Sequence, residues 1–235
     1  MGATMLQDSA ANRLPGFAYA IAGLTVTSMI VWSFVQWPEM APSIITREAA
    51  GNHGTSSVPR LISAGAMPMA LILLTIFMGF APRIDARYLK LLGDPGTAGP
   101  SSQKATPRVL GLILIGMSVL LGTLHVVIVG LYTPGELPTT SLIASAVGVF
   151  ILVLSFAFPM ITPRPVTGYE FEHRLRATQR RAYRTVAPLV MMVTAVAMIV
   201  AAWIAPNLAL PIGISGVTIM FAGIAIAAVF RARRP

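Results

Sequence analysis

From Val109 to Leu131 the chain reads VLGLILIGMSVLLGTLHVVIVGL, with His125 the one conventionally ionisable side chain in the run. About 20 predominantly apolar residues in helical form cross the hydrocarbon core of a bilayer, so this stretch predicts a transmembrane helix. Five more runs of the same kind lie on either side of it, at 15–37, 59–81, 140–161, 187–205 and 209–230, and none holds Asp, Glu, Lys or Arg in its interior. They are continuous rather than alternating, which points to helices and not to the strands of a barrel. The expected fold is therefore an all-α membrane protein of six transmembrane helices arranged as three hairpins.

The basic residues between the runs set the orientation. Arg13, then Arg83, Arg87, Lys90, Lys104 and Arg108, then Arg164, Arg174, Arg176, Arg180, Arg181 and Arg184, then Arg231, Arg233 and Arg234 all fall in alternate gaps. The remaining gaps hold only Arg47 and Arg60. Positive loops stay on the cytoplasmic side, which predicts both termini inside. This divides the chain into a polar tail (1–14), a first hairpin (15–81) with an outer loop (38–58), a cytoplasmic loop (82–108), a second hairpin (109–162), a basic amphipathic helix (163–186), a third hairpin (187–230) and a basic tail (231–235).

Composition agrees with lipid as the main solvent. Of 235 residues 55% are hydrophobic and 11% charged, and the mean hydropathy is +0.76. A net charge of +9 would suggest nucleic acid in a soluble chain; here retention on the inner face and contact with anionic headgroups account for it, and no nucleic-acid-binding signature accompanies it. With no cysteine, disulfides, thiolate metal sites and iron–sulfur clusters are excluded. The first apolar run is too long for a signal-peptide core and is expected to remain as a span. The excess of arginine over lysine suggests a bacterial plasma membrane.

Few residues carry chemistry. His125 is a candidate intramembrane polar site, because an ionisable group in hydrocarbon is costly and so usually has a role; a histidine hydrogen-bonded to a neighbouring helix is the plainer expectation. His53 and His173 fall in gaps on opposite sides, which removes a second axial ligand for haem, and no ligand spacing supports a metal site. No cofactor is expected. The chain lacks G-x-S-x-G, H-E-x-x-H, a P-loop or paired carboxylates in its spans, so it is expected not to be an enzyme; a membrane enzyme would need polar residues clustered at one face. Pro68 in the second run is expected to kink that helix.

Two segments are candidate contact surfaces. The outer loop offers Trp37, Glu39, Arg47, Glu48 and His53, with Trp32 and Trp37 at headgroup level. Within the cytoplasmic-side gap after the fourth run, Thr167-Gly168-Tyr169-Glu170 has the form of a capping box, predicting a helix that carries Arg174, Arg176, Arg180, Arg181 and Arg184 as lipid or partner contacts. A short interfacial helix is expected over 86–92, followed by a flexible connector over 93–107. Small pairs at close-packing spacing, Ala18 with Ala22, Ala144 with Gly148, and Gly223 with Ala227, are candidates for helix interfaces.

Trp37-Pro38-Glu39, Pro42, Thr46, the turn at Gly51, a helix with an internal proline, and then Pro82-Arg83-Ile84-Asp85 together resemble the opening of SdpI-type bacterial immunity and signalling proteins. That region is a two-helix domain of unknown function. Where the family places a histidine and an aromatic, this chain has Ile44, Ile45 or Arg47, and 163–184 lacks the family's tryptophan-containing motif. The resemblance implies a helical membrane protein without known catalysis, with an outer loop that meets a signalling or toxin partner. The function expected is thus protein–protein interaction, as an SdpI-like factor or an accessory subunit of a larger membrane complex; the alternative is a small transporter or permease component.

Overall fold

A computed structural model describes residues 15–47, 56–91, 100–160 and 170–232. Six long helices dominate: α1 (Gly16–Gln36), α2 (Arg60–Leu91), α3 (Pro100–Gly130), α4 (Thr139–Ala157), α5 (Glu170–Ile204) and α6 (Pro206–Ala232). All six contain a segment long and apolar enough to cross a membrane. In hydrocarbon a backbone must satisfy its own polar groups, and a helix does so within one segment. Between α1 and α2 lie two short strands, β1 (Ser43–Arg47) and β2 (Ser56–Pro59), paired antiparallel with an irregularity between Ile45 and Arg47. A one-turn 3₁₀ segment, Phe158–Met160, follows α4.

Two boundaries differ from expectation, and a third, the passage of the basic helix into the fifth span, is continuous. The segment 82–108 is not a loop throughout: α2 is one helix of 32 residues that runs on to Leu91, so the separate interfacial helix over 86–92 does not exist as such. At its other end α3 begins at Pro100, which makes 100–107 helical and not a flexible connector. The reason is that Ala, Arg, Leu and Lys in 86–91 and Gln, Lys and Ala in 103–105 are good helix formers, so each helix propagates past the apolar run that defines its span. In α5 the basic segment and the apolar span form one helix of 35 residues through Pro188. The tails 1–14 and 233–235, the turn at Gly51 and residues 167–169 of the expected capping box lie outside the described residues.

Buried side chains form three clusters. Ala18, Ala22, Met29, Leu71 and Leu114 pack α1, α2 and α3 together. A larger cluster from Ala144 and Ile151 through Met191, Ala195 and Met198 to Ala209 and Ile224 joins α4, α5 and α6. Met40, Val129 and Tyr132, with Trp32, Trp37 and Ile44 against them, close the end of the molecule that carries the β-hairpin. Two of the small pairs serve these contacts. Ala18 and Ala22 are buried, as are Ala144 and Gly148, whereas Gly223 and Ala227 are exposed.

Candidate functional site

The hairpin end is built where α1 stops, α2 starts and α3 stops. Arg60, the first residue of α2, turns its guanidinium back onto α1: Nη1 donates to the carbonyls of Trp37 (3.2 Å) and Met40 (3.0 Å). These carbonyls belong to the turns just after α1, where helical peptides leave acceptors without internal donors and the dipole is negative. The same guanidinium stacks over the Trp37 ring, 4.4 Å from its centroid, a cation–π contact. Its backbone N–H donates to Pro42 O at 3.0 Å. A residue that the sequence presents only as one of two charges on the wrong side for retention is thus a cap on a neighbouring helix.

Tyr132 does the equivalent work from α3. Its hydroxyl donates to Val58 O at 2.9 Å, which leaves it to accept from Ser63 Oγ at 2.6 Å. Its own carbonyl accepts from the Ala41 N–H at 2.8 Å. One side chain therefore ties β2, α2 and the segment after α1 to the end of α3. The turn that follows α3 contains Gly135 at φ +148°, a backbone region that L side chains rarely adopt.

Deeper in the bundle His125 is fully buried, and its Nε2 lies 2.9 Å from Met29 O and 3.0 Å from Ser33 Oγ on α1. A carbonyl only accepts, so Nε2 carries the proton and shares it between these two oxygens. In that tautomer Nδ1 is an acceptor, and it has no hydrogen-bond partner among the described residues; nor does the buried Nε1 of Trp32. His125 thus fastens α3 to α1.

The other sequence-predicted positions scatter. Trp37 is half-buried beneath Arg60 and, with Trp32, packs on the Met40 cluster. Glu39 is exposed beside it. Arg47 is on β1, but its side chain lies outside the described residues, as do Glu48 and His53 entirely. On α5 the side chains of Arg181 and Arg184 are exposed; those of Arg174, Arg176 and Arg180 lie outside the described residues. Pro68 is buried within an unbroken α2. An apolar crevice of about 300 Å³ between α4, α5 and α6 is lined by Val147, Ile151, Met198, Leu210, Gly213 and Thr218 among others.

Sequence reasoning missed Arg60, Tyr132, Ser33 and Ser63. Ser33 and Ser63 are each one of several hydroxyls in apolar runs, and the partner of Ser33 is 92 positions away; a clue available for Tyr132 was its place directly after the third run. Among the described residues no three His, Asp or Glu side chains come together as metal ligands would. No family model matches the chain, and no curated protein or solved structure matches it either.

Proposed function

We propose that this is a non-catalytic, multi-pass protein of a bacterial plasma membrane that works by protein–protein contact at its hairpin end. In this reading the six spans are three antiparallel hairpins with both termini cytoplasmic, following the distribution of basic residues, and the β-hairpin faces outward. The role is that of an SdpI-like immunity or signalling factor, or of an accessory subunit in a larger membrane complex. The observation that carries it is the bonding of the described parts of the segment between α1 and α2, residues 37–47 and 56–59. Arg60 and Tyr132 together supply hydrogen bonds to Trp37, Met40 and Val58, holding a segment that contributes nothing to spanning the membrane. A rigid surface binds with less entropy loss than a mobile one.

The second reading, a transporter component, rests on the unpartnered Nδ1 of His125. One experiment separates the two. The tagged chain is purified in mild detergent and its companions identified, with Glu39→Arg as the surface variant, since Glu39 is exposed. Stoichiometric recovery of a membrane partner that Glu39→Arg abolishes supports the contact reading. Recovery of the chain alone, together with substrate flux in liposomes that His125→Ala eliminates, overturns it in favour of transport.

A further inference from the structure

The basic residues of α5 fall into two groups with different neighbours along the helix. Arg174 and Arg176 each have a glutamate four positions earlier, Glu170 and Glu172, the spacing at which opposite charges meet on a helix surface. Arg180, Arg181 and Arg184 have no acid three or four positions away in either direction. Arg184 instead has Arg180 at i−4 and Arg181 at i−3, so these charges repel one another. Neither Arg181 nor Arg184 forms an ion pair among the described residues.

Their height and facing are both defined. About 20 residues counted back from Ile204, the length that crosses hydrocarbon, end at Thr185. Arg184 and Arg181 then stand within about 6 Å beyond that edge at 1.5 Å per residue, at the level of lipid phosphates. Arg181 begins an exposed stripe that continues at helical spacing through Thr185, Leu189, Met192 and Val196, with Leu189 58% and Val196 49% exposed. Arg184 flanks it. The helix cannot rotate this stripe away, because Tyr183 packs edge-on against Phe158 at 5.8 Å and Phe158 in turn meets Phe221 at 6.1 Å.

We propose that Arg181 and Arg184 bind the phosphate of an anionic glycerophospholipid, with its acyl chains lying along Leu189, Met192 and Val196. The guanidinium fork matches phosphate oxygens in pairs, and an anion placed there relieves the repulsion between the arginines. The apolar stripe running directly from the charged pair selects a lipid over an acidic protein segment, which has no use for it. This site goes beyond the contact function proposed for the hairpin end and does not depend on it. The leaflet is the one at the N-terminal side of α5, cytoplasmic in the proposed topology.

The test uses the full chain in mild detergent with added phosphatidylglycerol or phosphatidylcholine, and counts retained lipid by native mass spectrometry. The wild-type chain retains phosphatidylglycerol preferentially. In the Arg181→Gln/Arg184→Gln variant that preference falls about thirtyfold, the expected loss for two basic residues at a membrane surface, while circular dichroism confirms unchanged helix content. Arg181→Lys/Arg184→Lys keeps part of the preference and loses the part due to the planar fork. Undiminished preference in the glutamine variant, no preference in the wild type, or an equal loss from Arg108→Gln alone overturns the proposal.

Discussion

His125 and Arg60 are both polar groups set against the end or side of α1, yet they hold it by different physics. His125 lies among apolar helices, where interhelical hydrogen bonds contribute only about 0.6 kcal/mol on average. Without the Ser33 hydroxyl the Nε2 proton of His125 still has the Met29 carbonyl at 2.9 Å. Ser33→Ala is therefore expected to cost less than about 1 kcal/mol, whereas His125→Ala leaves a cavity and costs about 2–4 kcal/mol. Thermal unfolding in one detergent checks both, and equal losses would contradict the account. Arg60→Ala strips donors from two carbonyls and a cation from Trp37, with an expected cost of about 2–3 kcal/mol. Arg60→Lys recovers only a part, because an ammonium lacks the planar face that stacks on the indole. His125 was legible in the sequence as an exception in its run. Arg60 was not, because its role depends on acceptors that only the folded end of α1 presents.

Helices meet where their sequences allow backbones to approach. A Cβ built on Gly148 would lie 2.6 Å from Ile199 Cγ1 and 3.3 Å from Ala195 O, so Gly148→Ala forces α4 and α5 apart and costs about 1–3 kcal/mol. At Gly223 nothing lies within 4 Å, and Gly223→Ala gains up to about 1 kcal/mol of helix propensity. A denaturation series that ranks them the other way would refute the assignment of interfaces. The two pairs look alike in sequence, since small residues four apart state only that a close approach is permitted. Spans, by contrast, were legible from hydropathy alone. Their ends were not: Pro82 and the polar 100–107 segment read as breaks, yet α2 and α3 continue through them. In α3 the carbonyl that Pro107 frees is that of residue 103, outside the apolar run, where water satisfies it and the cost of continuing the helix falls.

For the molecule as a whole, the absence of cysteine makes every introduced thiol a unique label. Ser57, exposed on β2, and Ala177, exposed on α5, lie on opposite sides in the proposed topology. In intact cells an impermeant maleimide is expected to label Ser57→Cys and to reach Ala177→Cys only after permeabilisation; the reverse result inverts the orientation.

α5 also acts as a ruler. Arg184 is exposed near one end of its apolar part and Trp203, 59% exposed, near the other, two side chains that prefer the polar boundary to the acyl region. They are 19 positions apart, or about 28 Å at 1.5 Å of rise per residue. A fixed separation between such anchors sets the bilayer in which the helix stands without strain, and thinner or thicker membranes demand tilt or local deformation of the lipid. Unfolding temperature measured across a series of acyl-chain lengths should therefore pass through a maximum near that hydrocarbon thickness and fall on both sides of it.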